Sequence, residues 1–220
     1  PAGGGSVDEA ERPAVPTLAA ALGGDARVIS GAPDNIACEA RHGDAAAAQA
    51  AFAQAAHVVT LDITHQRVAA LTLEPRTVRA AWDGQRIDMH ISSQMPTAVR
   101  TAVSNVLGLA AESVRVRVGD VGGGFGMKTG SYPEDAVIAW AARATGRPVR
   151  WTGERGEEFA STTHGRDLQA HAELALDADG RILALRVHSH ANVGAYPTGT
   201  GVAIQLLIGP WVQTSVYHVP

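Results

Sequence analysis

The ten residues from Gly119 to Lys128 form the stretch of this chain best suited to hold a reactive group. Five are glycine, one large ring (Phe125) sits among them, and Lys128 closes the run. Glycine tolerates positive φ and lets a ligand reach bare backbone. A glycine loop between a strand and a helix can aim several amide N–H groups at one anion or oxo group. A phenyl ring held among glycines can wall a reactive centre off from water. The plainer reading is a connection that only turns the chain, because glycine patterns alone are weak signals. A phosphate-binding P-loop competes as well. It needs Gly, four residues, then Gly-Lys-Ser/Thr. Gly122, Lys128 and Thr129 stand at that spacing, but Met127 occupies the required glycine position.

Gln94 follows a candidate strand and precedes a helix. From residue type alone it is either a cap, a solvated side chain or a donor to a ligand. Glu74, before Pro75, reads as an ordinary surface acid. Arg76 and Arg79 read as solvated or paired rather than ligand-binding. The candidate hairpin over 169–190 puts His171 opposite Arg186, and His171, Arg186, His188 and His190 on one face. Three imidazoles there could bind zinc, nickel or copper. Arg186 would repel such a cation, and a solvated polar face is the plainer reading. The other histidines lack ligand spacing, and neither a Ser-His-Asp set nor a glycosidase-like carboxylate pair can be identified.

Periodicity, caps and turn residues outline the scaffold around these groups. Residues 1–35, rich in Gly, Pro and Ala, read as an extended or loosely ordered lead-in. Asp44 caps an alanine-rich helix, Ala45 to Ala56, with Phe52 as its large apolar anchor. His57–Ile63 alternates like a strand. Val78–Trp82 and Arg86–Ser92 form a hairpin about Asp83-Gly84. Val99, Ala102, Val103, Val106 and Leu107 share one helix face, which Gly108 ends. Val114–Val118 is a strand. A second helix starts near Pro133, with Glu134 and Asp135 complementing its dipole, and stops at Gly146. Pro148–Trp151 is a strand, and Gln169–Leu176 pairs with Arg181–His190 across Asp177–Gly180. Mixed helices, strands and hairpins make the class α+β: a mixed sheet with helices packed on it.

Composition narrows the function. The chain has 220 residues, 45% hydrophobic and 18% charged, enough for a real core. A net charge of −4 gives no electrostatic footprint for nucleic acid or an anionic membrane. A single cysteine, Cys38, excludes an internal disulfide and a cysteine-held metal cluster, and suits a reducing compartment. No apolar run reaches the roughly 20 residues of a membrane helix. A start at Pro1 and an end at Pro220 in an apolar stretch read as part of something longer.

Several segments together resemble one family, the molybdopterin-binding large subunits of xanthine dehydrogenase, aldehyde oxidase and carbon monoxide dehydrogenase. The Gly122–Lys128 run resembles that family's Gly-Gly-Phe-Gly motif. Ser92-Ser93-Gln94-Met95-Pro96 is similar to its Thr-Gln-x-Pro segment, and Leu73-Glu74-Pro75-Arg76 to its Met-Glu-Pro/Thr segment. Thr145–Trp151 and Gly153–Phe159 resemble a strand and acidic turn further on, and Asn192–Tyr196 a later landmark. Their order and spacing agree over about residues 35–200.

The resemblance implies the first part of a molybdenum-cofactor-binding domain, residues 41–220, with residues 1–40 the remnant of a preceding domain. It implies a cofactor of molybdenum on molybdopterin, which can be the cytosine dinucleotide form. Gln94 would donate its amide to an apical oxo ligand. Gly123, Gly124, Phe125 and Gly126 would line the same face, and no protein side chain would ligate the metal. The reaction would be oxidative hydroxylation of an aldehyde, N-heterocycle or related small substrate, with water as oxygen donor. Iron–sulfur and FAD partner subunits or domains would take the electrons, in the cytoplasm. The family's Gly-x-Gly-Glu base segment is absent from these residues, so no complete catalytic set is expected in them. Purine oxidisers carry an acid after the loop lysine, and Thr129 stands there instead, which argues against a xanthine-like substrate.

Overall fold

A computed structural model describes residues 14–28, 31–32 and 34–220. The chain divides into two compact units. One takes residues up to Thr64, Leu168–Pro197 and Val202–Pro220; the other takes His65–Asp167 with Thr198–Gly201.

The first unit begins with α1 (Leu18–Gly23), capped by the Thr17 hydroxyl, which accepts from the Ala20 N–H at 3.1 Å. This helix corrects the expectation of an extended lead-in. A Thr before an alanine-rich run supplies the cap that a composition reading passes over. Residues 1–13 of that lead-in lie outside the described residues. Helix α2 (Ala45–Gln54) starts as expected, with the Asp44 carboxylate accepting from the Ala47 N–H at 2.9 Å. Strands β1 (His57–His65), β8 (Leu168–Leu176) and β9 (Ile182–Ala191) form one sheet in the order β1-β8-β9. The Arg186 guanidinium lies 4.3 Å from the Phe52 ring centre, so the α2 anchor stacks on a cation.

The register of that hairpin differs from expectation. His171 faces His188, and Glu173 faces Arg186. One residue of the shift arises at the turn, where Leu176 faces Ile182 and Asp177 accepts from the N–H groups of Asp179 and Arg181, and the second at an irregularity between Ala175 and Leu176. A two-residue slip leaves the same side chains on one face. His171 bonds Asp62 at 2.7 Å, and Arg186 bonds Glu173 through two contacts of 2.6 and 2.8 Å. Among the described residues no group of three or more His, Cys, Asp or Glu side chains could hold a metal ion. His188 and His190 on the same face meet edge to face, with ring centroids 4.6 Å apart.

The second unit carries a four-stranded sheet, β5-β4-β3-β6, built from β3 (Thr77–Trp82), β4 (Ile87–Ile91), β5 (Val114–Arg117) and β6 (Val149–Thr152). β4 pairs antiparallel with β3 and parallel with β5. A parallel neighbour needs a crossover, and α3 (Pro96–Leu107) supplies it. Along β4, Ile87, Met89 and Ile91 are buried, while Asp88 turns outward and takes a two-pronged Arg117 ion pair at 3.0 and 2.7 Å. Val99 and Val103 of α3, and Ala139 and Ala142 of α4 (Pro133–Thr145), close the core with Val78, Ala80 and Val114. Gly108 ends α3 at φ +62, a conformation that costs a residue with a Cβ about 1 kcal/mol. Two short strands, β2 (Val68–Ala69) and β7 (His164–Gly165), pair antiparallel, and α5 (Arg155–Ser161) lies between β6 and β7. A helix thus stands where an acidic turn was expected, because Glu157 caps the Glu154 N–H at 2.8 Å. Beyond β9, residues 199–212 are helical, unforeseen from their apolar composition.

Met89 has no exposed surface. Met89→Ala is expected to destabilise the protein by about 2–5 kcal/mol in urea unfolding, since a buried methionine leaves a cavity on truncation. A loss below about 1 kcal/mol would mean that this core is not the one that holds the sheet.

Candidate functional site

β4 delivers the chain to Ser92, Ser93 and Gln94, and Pro96 starts α3 immediately afterwards. The Gly122–Lys128 loop returns against this corner. The Gln94 N–H donates to the Lys128 carbonyl at 2.9 Å. The Gln94 Oε1 accepts from the N–H of Gly126 at 3.1 Å and of Lys128 at 3.2 Å. Two backbone donors on one end of a carboxamide fix its polarity: oxygen inward, NH2 outward. Gln94 is exposed, and its Nε2 has no protein partner among the described residues.

The glycines of the loop have distinct jobs. A Cβ on Gly124 would stand 2.4 Å from the Gln94 Cδ and Oε1, so only glycine admits the carboxamide there. A Cβ on Gly122 would stand 2.5 Å from that of Glu74. Gly123 and Gly126 have φ of +102 and +87. Phe125 itself has φ +50 and is 76% exposed, a strained backbone carrying a large ring into the open. The Phe125 ring edge lies over Gly123. The N–H groups of Gly123, Gly124 and Phe125 have no protein acceptor among the described residues. The structure therefore brings together Gln94, Gly123, Gly124, Phe125 and Gly126, the five residues expected at a cofactor.

Beneath the loop lies a polar cluster that the residue types did not announce. Lys128 is buried, its side chain 1% exposed. Its Nζ donates to the Glu74 carbonyl (2.9 Å), the Glu74 Oε2 (3.1 Å) and the Ser92 Oγ (2.8 Å). The Glu74 Oε2 also accepts from the Ser92 hydroxyl at 2.6 Å and from the Gly122 N–H at 2.7 Å. The Glu74 N–H donates back to the Gly122 carbonyl at 3.1 Å. Glu74 is thus the counter-ion of a buried amine, which corrects its reading as a plain surface acid. Burial works to raise its carboxyl pKa, but the donors Ser92, Gly122 and Lys128 prevail and hold it below the ordinary glutamate value.

Arg76 is paired, as expected, but it is buried as well. Its guanidinium stacks 4.0 Å from the Tyr132 ring centre and meets Glu134 at 3.2 Å and Ser161 at 2.9 Å. Its N–H donates to the buried Glu158, which pairs with Arg155 at 2.9 Å. Arg155 in turn donates to the carbonyls of Thr72 and Leu73 at 2.8 and 3.3 Å, bracing the segment that carries Glu74. Asp135 accepts from the Tyr132 N–H at 2.9 Å, and burial pushes its carboxyl pKa up. Arg79 is exposed. The one sequence signal for the buried cluster was Lys128 itself, the sole lysine beside seventeen arginines.

A glycine loop clasps a carboxamide at the corner between a mixed sheet and its crossover helix. The chain belongs to the molybdopterin cofactor-binding domain family, whose model matches residues 28–220. It is 36% identical over 167 residues to the 6-hydroxypseudooxynicotine dehydrogenase complex subunit gamma of Paenarthrobacter nicotinovorans, covering 73% of this chain and 21% of that protein. It is 40% identical over 156 residues to the carbon monoxide dehydrogenase large chain of Hydrogenophaga pseudoflava, covering 70% of this chain and 19% of that one. Among solved structures, quinoline 2-oxidoreductase from Pseudomonas putida 86 superposes over 98% of this chain and 28% of its own, with a TM-score of 0.86 and 36% identity. The chain therefore spans about a fifth of the length of these curated relatives. No helix among the described residues is long and apolar enough to cross a membrane.

The lowered Glu74 pKa sets a pH dependence. A carboxyl whose folded pKa lies below its unfolded value stabilises the fold above the unfolded value, near 4.5 here, and that contribution is lost as pH falls through the folded pKa. The stability advantage of wild type over Glu74→Gln is expected to be full near neutrality and to shrink as urea midpoints are taken at progressively lower pH. An advantage unchanged on acidification would show that Glu74 is not ionised in its cluster.

Proposed function

We propose that this chain is a segment of the large subunit of a molybdenum hydroxylase and supplies part of its molybdopterin site. The observation that carries the reading is the fixed polarity of Gln94. Its oxygen is engaged by two loop N–H groups, and its NH2 is offered outward beside three backbone donors that are unpaired among the described residues. That donor set suits an oxo-metal group or an anionic cofactor edge, and it carries neither acceptors nor thiolates for ligating a bare metal. The residues fit the group: Gln94 would donate to a terminal oxo ligand, and Gly123, Gly124, Phe125 and Gly126 would line the same face. When bound, the cofactor supplies oxidative hydroxylation of a small substrate, an aldehyde, an N-heterocycle or a related compound, with water as the oxygen source. The chain's own residues orient and exclude. Gln94 places an N–H, the Gly124 backbone leaves room for it, and the open Phe125 ring shields one side.

Residues 41–220 are proposed as the N-terminal part of the cofactor domain, led into by residues 1–40. Iron–sulfur and FAD-bearing subunits or domains of the same enzyme are the proposed electron acceptors, and the cytoplasm the proposed location. Support for partner proteins is that relatives are themselves subunits, a gamma subunit and a large chain among them.

The full-length gene product is expected to contain molybdenum and pterin by metal analysis and fluorescence. Benzaldehyde, quinoline and carbon monoxide serve as probe substrates. With whichever of them wild type oxidises, Gln94→Ala is expected to lower turnover per molybdenum about a hundredfold, the usual cost of deleting one preorganised donor. Full-length protein lacking both metal and pterin would overturn the proposal.

A further inference from the structure

Lys128 stands apart in this chain. Every other cationic side chain is an arginine, seventeen in all, and the single lysine lies beneath the loop with its side chain 1% exposed. The difference is chemical. A lysine ammonium is a compact cation with three donors, whereas a guanidinium is a wide planar fork. The three protons of Nζ meet three oxygens, the Glu74 carbonyl, the Glu74 Oε2 and the Ser92 Oγ, at 2.8 to 3.1 Å. An arginine could not occupy that space without moving the loop.

The connectivity of the cluster runs directly to Gln94. Lys128 binds Gln94 through its own backbone, donating its N–H to Oε1 and accepting the Gln94 N–H on its carbonyl. Its amine then ties that same backbone to Glu74 and Ser92. Glu74 grips the other end of the loop at Gly122 through both its N–H and its carboxylate. The loop is thus held at both ends by one ion pair. The apolar core of this unit is built from other residues, Val78, Met89 and Val103 among them.

We propose that Lys128, with Glu74 as counter-ion and Ser92 as further acceptor, is a positioning residue that sets where the Gln94 carboxamide and the Gly123–Phe125 N–H groups stand before the cofactor. The inference rests on reading this corner as a molybdopterin socket. It assigns the cluster a role in the reaction rather than in folding alone. Preorganised donors lose their effect steeply with displacement, and a shift of about 1 Å can cost about a hundredfold in rate. Removing one acceptor from the amine frees the Lys128 backbone, and the Gln94 oxygen moves with it.

The test uses full-length holoenzyme carrying Glu74→Gln or Ser92→Ala, each compared with wild type for molybdenum content. Two readouts need no known substrate: the Mo(V) electron paramagnetic resonance spectrum after dithionite reduction, and amide hydrogen exchange at Gly126 and Lys128. Both variants are expected to keep molybdenum near the wild-type level, to shift the Mo(V) g-values, and to exchange those two amides about tenfold faster, the mark of a loosened local structure. Should Glu74→Gln fail to fold, Ser92→Ala, which keeps the ion pair, decides alone. Wild-type spectra and exchange at equal molybdenum content would overturn the inference while leaving the socket reading intact. Loss of molybdenum in step with stability, with a wild-type spectrum in what remains, would also overturn it, since the amine would then only maintain the fold. Wild-type enzyme without molybdenum and pterin would remove the socket reading, and the inference with it.

Discussion

A protonated amine taken out of water needs an oxygen for each of its protons and a negative charge close by. Lys128 finds all of this in two short segments, Glu74 and Ser92, that the sequence places 54 and 36 residues away. Breaking one partner would leave a buried charge exposed to nothing, so the cluster tolerates little rearrangement. That intolerance fixes the loop above it. Gly122 is bonded to Glu74 at both its N–H and its carbonyl, and Lys128 is bonded to Gln94 at both of its own. Between these clamps the chain adopts positive φ at Gly123, Phe125 and Gly126, and of the three only Phe125 is strained by it.

The rest of the second unit serves as backing for this corner. β4 and the crossover helix α3 meet at Gln94, and their inward side chains share one core. α4 closes the same core, and Arg76 beside it anchors the 72–76 segment through Tyr132, Glu134 and Glu158. The product of this arrangement is a carboxamide whose oxygen is committed and whose NH2, like the neighbouring Gly123–Phe125 N–H groups, has no partner among the described residues. A hydrogen-bonding edge of that kind stabilises an oxo or anionic group without reorganising when one arrives.

Much of this was legible in residue types. The apolar face of Val99 to Leu107 and the stop at Gly108 specify α3, because period and stop agree. The glycine loop and Gln94 were legible as candidates, although only the fold puts the Gln94 oxygen on the N–H of Gly126. Glu74 was misread because a glutamate before a proline looks like any surface acid. Its partner lies on a distant segment, and no local rule connects the two. The hairpin register differs for a similar reason: the turn and the bulge beside it leave no period of their own, yet together they move the partner of His171 from Arg186 to His188. The helices at 18–23 and 199–212 escaped because small and apolar residues fit several states equally well.

A crystal structure of the full-length protein with its cofactor bound would show whether the Gln94 side chain meets the metal centre. The expected result has Nε2 within about 2.7–3.2 Å of a terminal oxo ligand while Oε1 stays on the N–H groups of Gly126 and Lys128. A carboxamide turned away from the metal, or one released from the loop when the cofactor is present, would contradict it.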